Sequence, residues 1–295
     1  MEQEQQEKME QKARQQGAGT LYLCATPIGN LEDMTYRAVR MLGEVPLIAA
    51  EDTRHTRQLL THFDIHTKLT SYHEHNKFTK GPELIEWLLS GQDLICVSDA
   101  GLPGICDPGS HLAELAIKAG IRVSPLPGCN AGLSALICSG LDTTRFTFVG
   151  FLPKTAKKQQ EVLSEVKNHR ETLIFYEAPH HLKATLRQLA AMLGGTRRAA
   201  FGRELTKKFE EFRRGTLQDL LNFYEENEPR GEYVLIVEGF KGEAEPSQEL
   251  PADPVELCKM LMEDGLSKKE AMREAAKKLG ISRRDVYAAL LTAEK

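Results

Sequence analysis

The residues best suited to chemistry lie in one run, Ser98-Asp-Ala-Gly-Leu-Pro-Gly-Ile-Cys-Asp-Pro-Gly109. It follows an apolar segment, Leu94 to Val97, that reads as a buried strand, and precedes an amphipathic segment, His111 to Ala119, that reads as a helix. In an open α/β sheet, ligands bind just beyond the carboxyl ends of the strands. Glycine lets backbone approach a ligand closely, and proline fixes the path of a loop. A helix start explains only part of the run: Asp107 is a good N-cap and Pro108 a good first helical residue. Asp99, Gly101, Pro103 and Gly104 are left over, and they point to a ligand loop.

Other charged groups recur where strands should end. Glu51-Asp52-Thr53-Arg54 follows Val45 to Ala50, Tyr176-Glu-Ala-Pro-His-His181 follows Thr172 to Tyr176, and Arg203 to Glu211 follows Arg198 to Phe201. Singly, each suits helix capping as well as catalysis. In Tyr72-His-Glu-His-Asn76 an extended backbone would turn His73 and His75 to the same side. That spacing is not the HExxH of a helical metal site, and no third ligand is evident, so a polar loop lining a cleft is the better reading. Thr26-Pro-Ile-Gly-Asn30 ends the first strand with one glycine. Neither GxGxxG nor GxxxxGK[ST] occurs, which argues against dinucleotide and P-loop sites.

These groups need a scaffold. Strand signals at Gly19 to Ala25, Val45 to Ala50, Leu94 to Val97 and Arg122 to Leu126 alternate with helix signals at Thr35 to Leu42, Thr56 to His62, Pro82 to Leu89 and from Ala131 to Ser139. The alternation predicts a mostly parallel sheet with helices on both faces. A second α/β unit starts near Thr143, with strands at Phe146 to Val149, Thr172 to Tyr176, Arg198 to Phe201 and Tyr233 to Val237, and helices at His181 to Met192 and Leu217 to Tyr224. The expected organisation is a disordered tail over 1–18, α/β domains over 19–142 and 143–241 facing a shared cleft, a linker over 242–253 and a helical module over 254–295. The module reads as three helices resembling a helix-turn-helix, with a capping box at Ser267 to Glu270. Its basic residues, among them Lys268, Lys269, Arg273, Lys277, Lys278, Arg283 and Arg284, suit either a nucleic-acid surface or a solvated helix face, since acids are interspersed.

Bulk composition sets limits. A length of 295 residues suits about two domains. A net charge of -4 argues against wholesale coating by nucleic acid but leaves room for a local basic patch. No apolar run approaches a membrane span, and Met1 to Gln16 lacks the apolar core of a signal peptide, so a cytoplasmic protein is expected. The six cysteines form no CxxC pair and read as reduced thiols.

Taken together, the motifs resemble the tetrapyrrole (corrin and porphyrin) methylase superfamily and, within it, the small-subunit ribosomal RNA ribose 2′-O-methyltransferase I subfamily. The resemblance spans about Gly19 to Phe240. It is carried by Thr26-Pro-Ile-Gly-Asn-Leu-Glu-Asp-Met-Thr35, Glu51-Asp-Thr-Arg-His-Thr56, Tyr72-His-Glu-His-Asn76, Ser98-Asp-Ala-Gly-Leu-Pro103, Gly150-Phe-Leu-Pro153, Phe175-Tyr-Glu-Ala-Pro-His180, Arg203-Glu-Leu-Thr-Lys207 and Gly231-Glu-Tyr-Val-Leu-Ile-Val-Glu-Gly239. Two positions depart from the family pattern: His181 stands where Arg is usual, and Cys129-Asn130 replaces the commoner Pro-Ser or Pro-Cys.

The resemblance implies S-adenosylmethionine as methyl donor in the cleft, a homodimer, and a cytidine ribose of 16S ribosomal RNA in the assembled small subunit as acceptor. It places Asp99, Ala100, Gly101, Leu102, Asn130 and Ala131 on the donor, with Tyr176 and Glu177 approaching from the second domain. Since the donor carries an activated methyl group, the protein must align the reactants and remove a hydroxyl proton, without a metal. Glu204, Lys207, Glu51 and Glu177 are the candidates for base or positioning group, with Arg54, Arg203, His73 and His75 on the acceptor side. A methylase of a small tetrapyrrole and a non-catalytic ribosome-assembly factor are the alternatives.

Overall fold

The computed structural model describes residues 17–242, 251, 253–263 and 266–293. The tail expected over 1–18 lies outside them apart from residues 17 and 18, as does most of the expected linker. One compact unit ends at Lys241 and a second begins at Gly242.

The first unit holds two five-stranded sheets. The first combines β1 (Leu21–Cys24), β2 (Ile48–Ala50), β3 (Leu69–Ser71), β4 (Leu94–Val97) and β5 (Val123–Leu126), all parallel, in the order β3-β2-β4-β1-β5. The near-continuous apolar strands are those of a sheet covered on both faces. Alternate side chains decide which helix covers which face. Ile48, Ala50, Ile95 and Val97 meet α1 (Tyr36–Glu44) and α2 (Thr53–His62) through Ala38, Leu42 and Leu60. Ala49, Leu94 and Cys96 meet α3 (Lys77–Leu89) and α4 (Gly109–Lys118) through Leu84, Leu88, Leu112 and Ala116. β3 is three residues long and only partly buried, so no apolar run advertised it.

After α5 (Ala131–Ser139) the chain builds the second sheet from β6 (Phe146–Phe151), β7 (Thr172–Glu177), β8 (Arg198–Arg203), β9 (Glu211–Thr216) and β10 (Tyr233–Val237), ordered β6-β7-β10-β8-β9. Only β6 and β7 run parallel; the other neighbours are antiparallel. Arg203 to Glu211, read from sequence only as a charged strand end, turns the chain from β8 back along β9. One face carries α6 (Ala156–Val166), α7 (Pro179–Leu193) and α8 (Leu217–Glu226) over Leu173, Phe175, Phe201 and Leu235. The other face is covered from the first half of the chain: Ala135 and Leu136 of α5 pack with Ile174, Val234 and Ile236.

The second unit is three helices, α9 (Pro254–Glu263), α10 (Lys268–Leu279) and α11 (Arg283–Ala293), around Leu257, Leu261, Ala271, Ala275, Val286 and Leu290. Ser267 and Glu270 form the expected capping box, and Ser282 with Asp285 forms a second at the start of α11. The seven basic residues named above are all exposed. Among the described residues no helix is long and apolar enough to cross a membrane.

Leu136 is 2% exposed and belongs to α5, which packs on the second sheet. Leu136→Ala is expected to lower unfolding free energy by about 2–5 kcal/mol, read from urea denaturation.

Candidate active site

β2 and β4 are neighbours whose following helices lie on opposite faces of the first sheet. Such a switch point opens a crevice at the carboxyl ends. The two strand ends are tied across it: Asp99 Oδ1 accepts the Asp52 N–H at 3.0 Å, and Glu51 Oε2 accepts the Asp99 N–H at 3.4 Å. The end of β1 joins in, where Thr26 and Gly101 exchange two backbone hydrogen bonds and the Thr26 hydroxyl donates to the Ser98 carbonyl.

The Ser98 to Gly109 loop is braced from within. Asp107 Oδ1 accepts the N–H groups of Gly104 (2.8 Å) and Gly109 (2.7 Å). Asp107 therefore serves the helix start, as expected, although α4 begins at Gly109, with Pro108 at the boundary position rather than inside. Asp107 also lines the cavity, alongside Asp99 to Leu102. Opposite, Asn130 caps α5 by accepting the Leu133 N–H, and the Tyr176 hydroxyl accepts the Gly132 N–H at 3.0 Å. That bond satisfies a first-turn donor of α5 from β7. Phe148 and Phe151 pack edge-on against the same tyrosine ring.

Between these elements lies a cavity of about 350 Å³. Asp99, Ala100, Gly101, Leu102, Asn130, Ala131, Tyr176, Glu177 and Glu51 all line it. One end is acidic, with Glu51, Asp99 and Asp107; apolar walls come from Ile28, Leu102, Ile105, Leu205 and Val234. Burial is the main reason the Glu51 carboxyl is raised above its usual range. The Asp99 N–H opposes this, Asp99 and Asp107 reinforce it, and His73 opposes it. Asp107 is raised too, by burial first, against the N–H groups of Gly104, Gly109 and Ile105, with Asp99 adding to the rise. Glu177 is buried with both oxygens engaged, Oε1 by the Ala178 N–H and Oε2 by the Thr185 hydroxyl at 2.5 Å.

The remaining expected residues do not line the cavity. Glu204 and Lys207 pair with each other (3.0 Å) beside it, and Lys207 also reaches Glu232, which does line it. Burial opposes the charge on Lys207, but Glu204 and Glu232 outweigh it and hold the ammonium above its usual range. Burial likewise opposes the charge on Glu204, and Lys207, the Glu232 N–H and Arg203 outweigh it, leaving that carboxyl lowered. Arg203 donates to the Arg230 carbonyl and pairs with Glu211. Arg54 pairs with Asp52 at 2.7 Å on the exposed start of α2. The His73 and His75 rings lie 6.0 Å apart beyond β3. His181 is exposed, its ring tilted against that of His180. Ile28, Ile105, Cys106, Phe151, Leu205 and Glu232 line the cavity without having been singled out. Most of them lie within the motifs quoted above, but apolar residues beyond a strand carry no chemical signature of their own.

Comparison with known proteins agrees with this architecture. The family model for Tetrapyrrole (Corrin/Porphyrin) Methylases matches residues 20–221. A Halalkalibacterium halodurans protein named ribosomal RNA small subunit methyltransferase I is 51% identical over 271 residues, 91% of this chain and 93% of the relative. Proteins of the same name from Bacillus subtilis and Synechocystis are each 47% identical, over 91% of this chain and 93% and 96% of theirs. Among solved structures, uroporphyrin-III-C-methyltransferase from Thermus thermophilus superposes with a TM-score of 0.54 at 20% identity, covering 75% of this chain and 94% of that one. Diphthine synthase does so with a TM-score of 0.58 at 13% identity, covering 75% and 89%. Those two likenesses concern the fold. On the family match and the identities, this chain belongs to the tetrapyrrole (corrin/porphyrin) methylases, in the group of the ribosomal RNA small subunit methyltransferases I.

Proposed function

We propose that the protein transfers the methyl group of S-adenosylmethionine to the ribose 2′-oxygen of a cytidine in 16S ribosomal RNA, in the assembled small subunit. The observation that carries the donor half is the cavity itself. Its volume falls in the range of small-molecule sites, and its two characters match a donor with an aromatic base at one end and positive charge at the other. Ile28, Leu102, Ile105, Leu205 and Val234 would enclose the apolar part. Glu51, Asp99 and Asp107 would face the cationic part. When bound, the donor supplies an activated methyl group; the chain's own residues bind, orient and shield.

The names of the relatives support the RNA half, and the exposed basic faces of α10 and α11 are suited to phosphate contacts that weaken with salt. Arg54, His73 and His75 remain the acceptor-side candidates on the first sheet's rim. A homodimer is supported by Leu133 and Ile137, one turn apart on α5, which are 44% and 73% exposed.

The four candidates for base now differ in standing. Both Glu177 oxygens are engaged, which assigns that carboxylate to fixing the start of α7. Lys207 is held as an ammonium and cannot take a proton near neutrality. Glu204 is spent on Lys207 and the Glu232 N–H. Glu51 belongs with the acidic end and is assigned to the donor.

Labelled-methyl transfer to undermethylated small subunits, to naked RNA and to a tetrapyrrole precursor tests the reading. Label in the subunit RNA, at a 2′-oxygen, is expected; label in the tetrapyrrole alone, or in neither, overturns it. Removing residues 254–295 is expected to weaken RNA binding at least about tenfold, with donor affinity unchanged in calorimetry. Glu51→Gln should weaken donor binding about tenfold, the size of one charge-assisted contact. Because the Glu51 and Asp107 carboxyls are raised, they gain protons at a higher pH than free carboxyls do. Donor affinity should therefore fall as pH is lowered, beginning above the range of free carboxyls, and calorimetry across the fall should show a smaller loss in Glu51→Gln.

A further inference from the structure

The connection between β8 and β9, which supplies Leu205 to the cavity lining, is under unusual constraint. Glu204 and Thr206 hold φ values of 50° and 65°, a region that side-chain-bearing residues rarely adopt. Such strain persists only where the surroundings over-determine it. Here they do so through a closed set of bonds. Glu204 Oε1 accepts from Lys207 Nζ and from the Glu232 N–H, each at 3.0 Å, while Glu232 Oε2 accepts from the same Lys207 Nζ at 3.0 Å. Two glycines make room for the partners. A Cβ at Gly231, where φ is 78°, would lie 2.5 Å from the Glu204 carboxyl, and one at Gly29 would lie 2.4 Å from Lys207 Cγ. Thus the turn after β1 and the turn before β10 are both shaped around one ion-pair network.

What the network holds in place is the side chain of a residue that lines the cavity, Glu232. Glu232 differs from the other acids there. Its side chain is 80% exposed, and its Oε1 makes no hydrogen bond among the described residues. Glu177 has no oxygen to spare, and Glu51 and Asp99 are tied to each other's strand ends. A ribose within a long RNA chain meets an accessible carboxylate before it meets a buried one.

We propose that Glu232 is a catalytic residue, the carboxylate that accepts the acceptor's 2′-hydroxyl proton, and that Glu204 and Lys207 are the positioning residues that hold it. This rests on the ribose reading above. The oxygen–methyl bond forms as the methyl–sulfur bond breaks, and the breaking bond's electron pair stays on sulfur. The hydroxyl proton passes to Glu232 Oε1, so one positive and one negative charge are removed together, and the carboxyl later returns its proton to water. Bond formation makes the hydroxyl strongly acidic, so a carboxylate is a sufficient base.

The test is Glu232→Gln, which keeps the shape and removes the base. It is read by single-turnover methyl transfer to undermethylated small subunits, by calorimetric binding of S-adenosylhomocysteine, by RNA binding and by thermal melting. The rate is expected to fall at least about a hundredfold, the scale of general-base catalysis, with both affinities within about threefold and melting unchanged. Glu232→Asp should recover part of the rate. Lys207→Met should lose less than Glu232→Gln, and the double variant no more than Glu232→Gln alone, since both act through one group. A Glu232→Gln rate within about threefold of the parent, additive losses in the double variant, or a loss explained by donor affinity overturns the proposal. Parent protein that labels no RNA overturns the ribose reading instead, so the two failures are distinguishable.

Discussion

The packing of α5, which follows the first sheet in the chain, onto the second sheet is the constraint on which the rest depends. Its Ala135 and Leu136 cover the face of β7 and β10 that no helix of the second half reaches. Its N-terminus, capped by Asn130 and tied to Tyr176, forms one wall of the cavity. The contact that joins the halves therefore also sets the distance across the site. A shift of α5 would move Ala131 away from Tyr176 and would open the second sheet's apolar face at the same time.

Charge is distributed along the site by depth. At the carboxyl ends of β2 and β4, Glu51, Asp99 and Asp107 lie together, and partial burial disfavours the charge on Glu51 and Asp107. Half-buried carboxylates held by backbone N–H groups gain further when a cation joins them, so this end suits a cationic ligand. Beside the cavity several acids have basic partners: Lys207 lies between Glu204 and Glu232, and Arg203 against Glu211. Pairing there fixes geometry without concentrating negative charge where a polyanion would approach.

Much of this was legible in the sequence. Apolar runs gave the strands other than β3 and β9, and alternation with helices gave the parallel first sheet, because buried parallel strands have a strong signature. β3 and β9 were not legible. Leu69–Ser71 is too short for a pattern, and Glu211–Thr216 is polar and half-buried at the sheet's edge. The cavity lining was legible where it carried Asp, Gly and Asn in dense loops, as at Asp99 to Leu102 and Asn130. It was illegible at Ile28, Leu205 and Phe151, whose role comes only from being brought together across two sheets. Glu204 and Lys207 stood out by their chemistry, yet their mutual pairing takes them off the lining. The pairing needs positive-φ backbone at Glu204 and room at Gly29, and neither is visible from residue types alone.

The position of α5 in the chain has a consequence for biosynthesis. It is made before any strand of the sheet it covers, and β10, which supplies Val234 and Ile236, is the last strand of the unit. As the chain leaves the ribosome, the five-stranded parallel sheet can assemble while the apolar side of α5 has no cover. Nascent surfaces of that kind are prone to aggregation and are natural targets for chaperones. The first half is thus complete as a sheet but not as a folding unit, and its release from the risk of misassembly waits for the final strand.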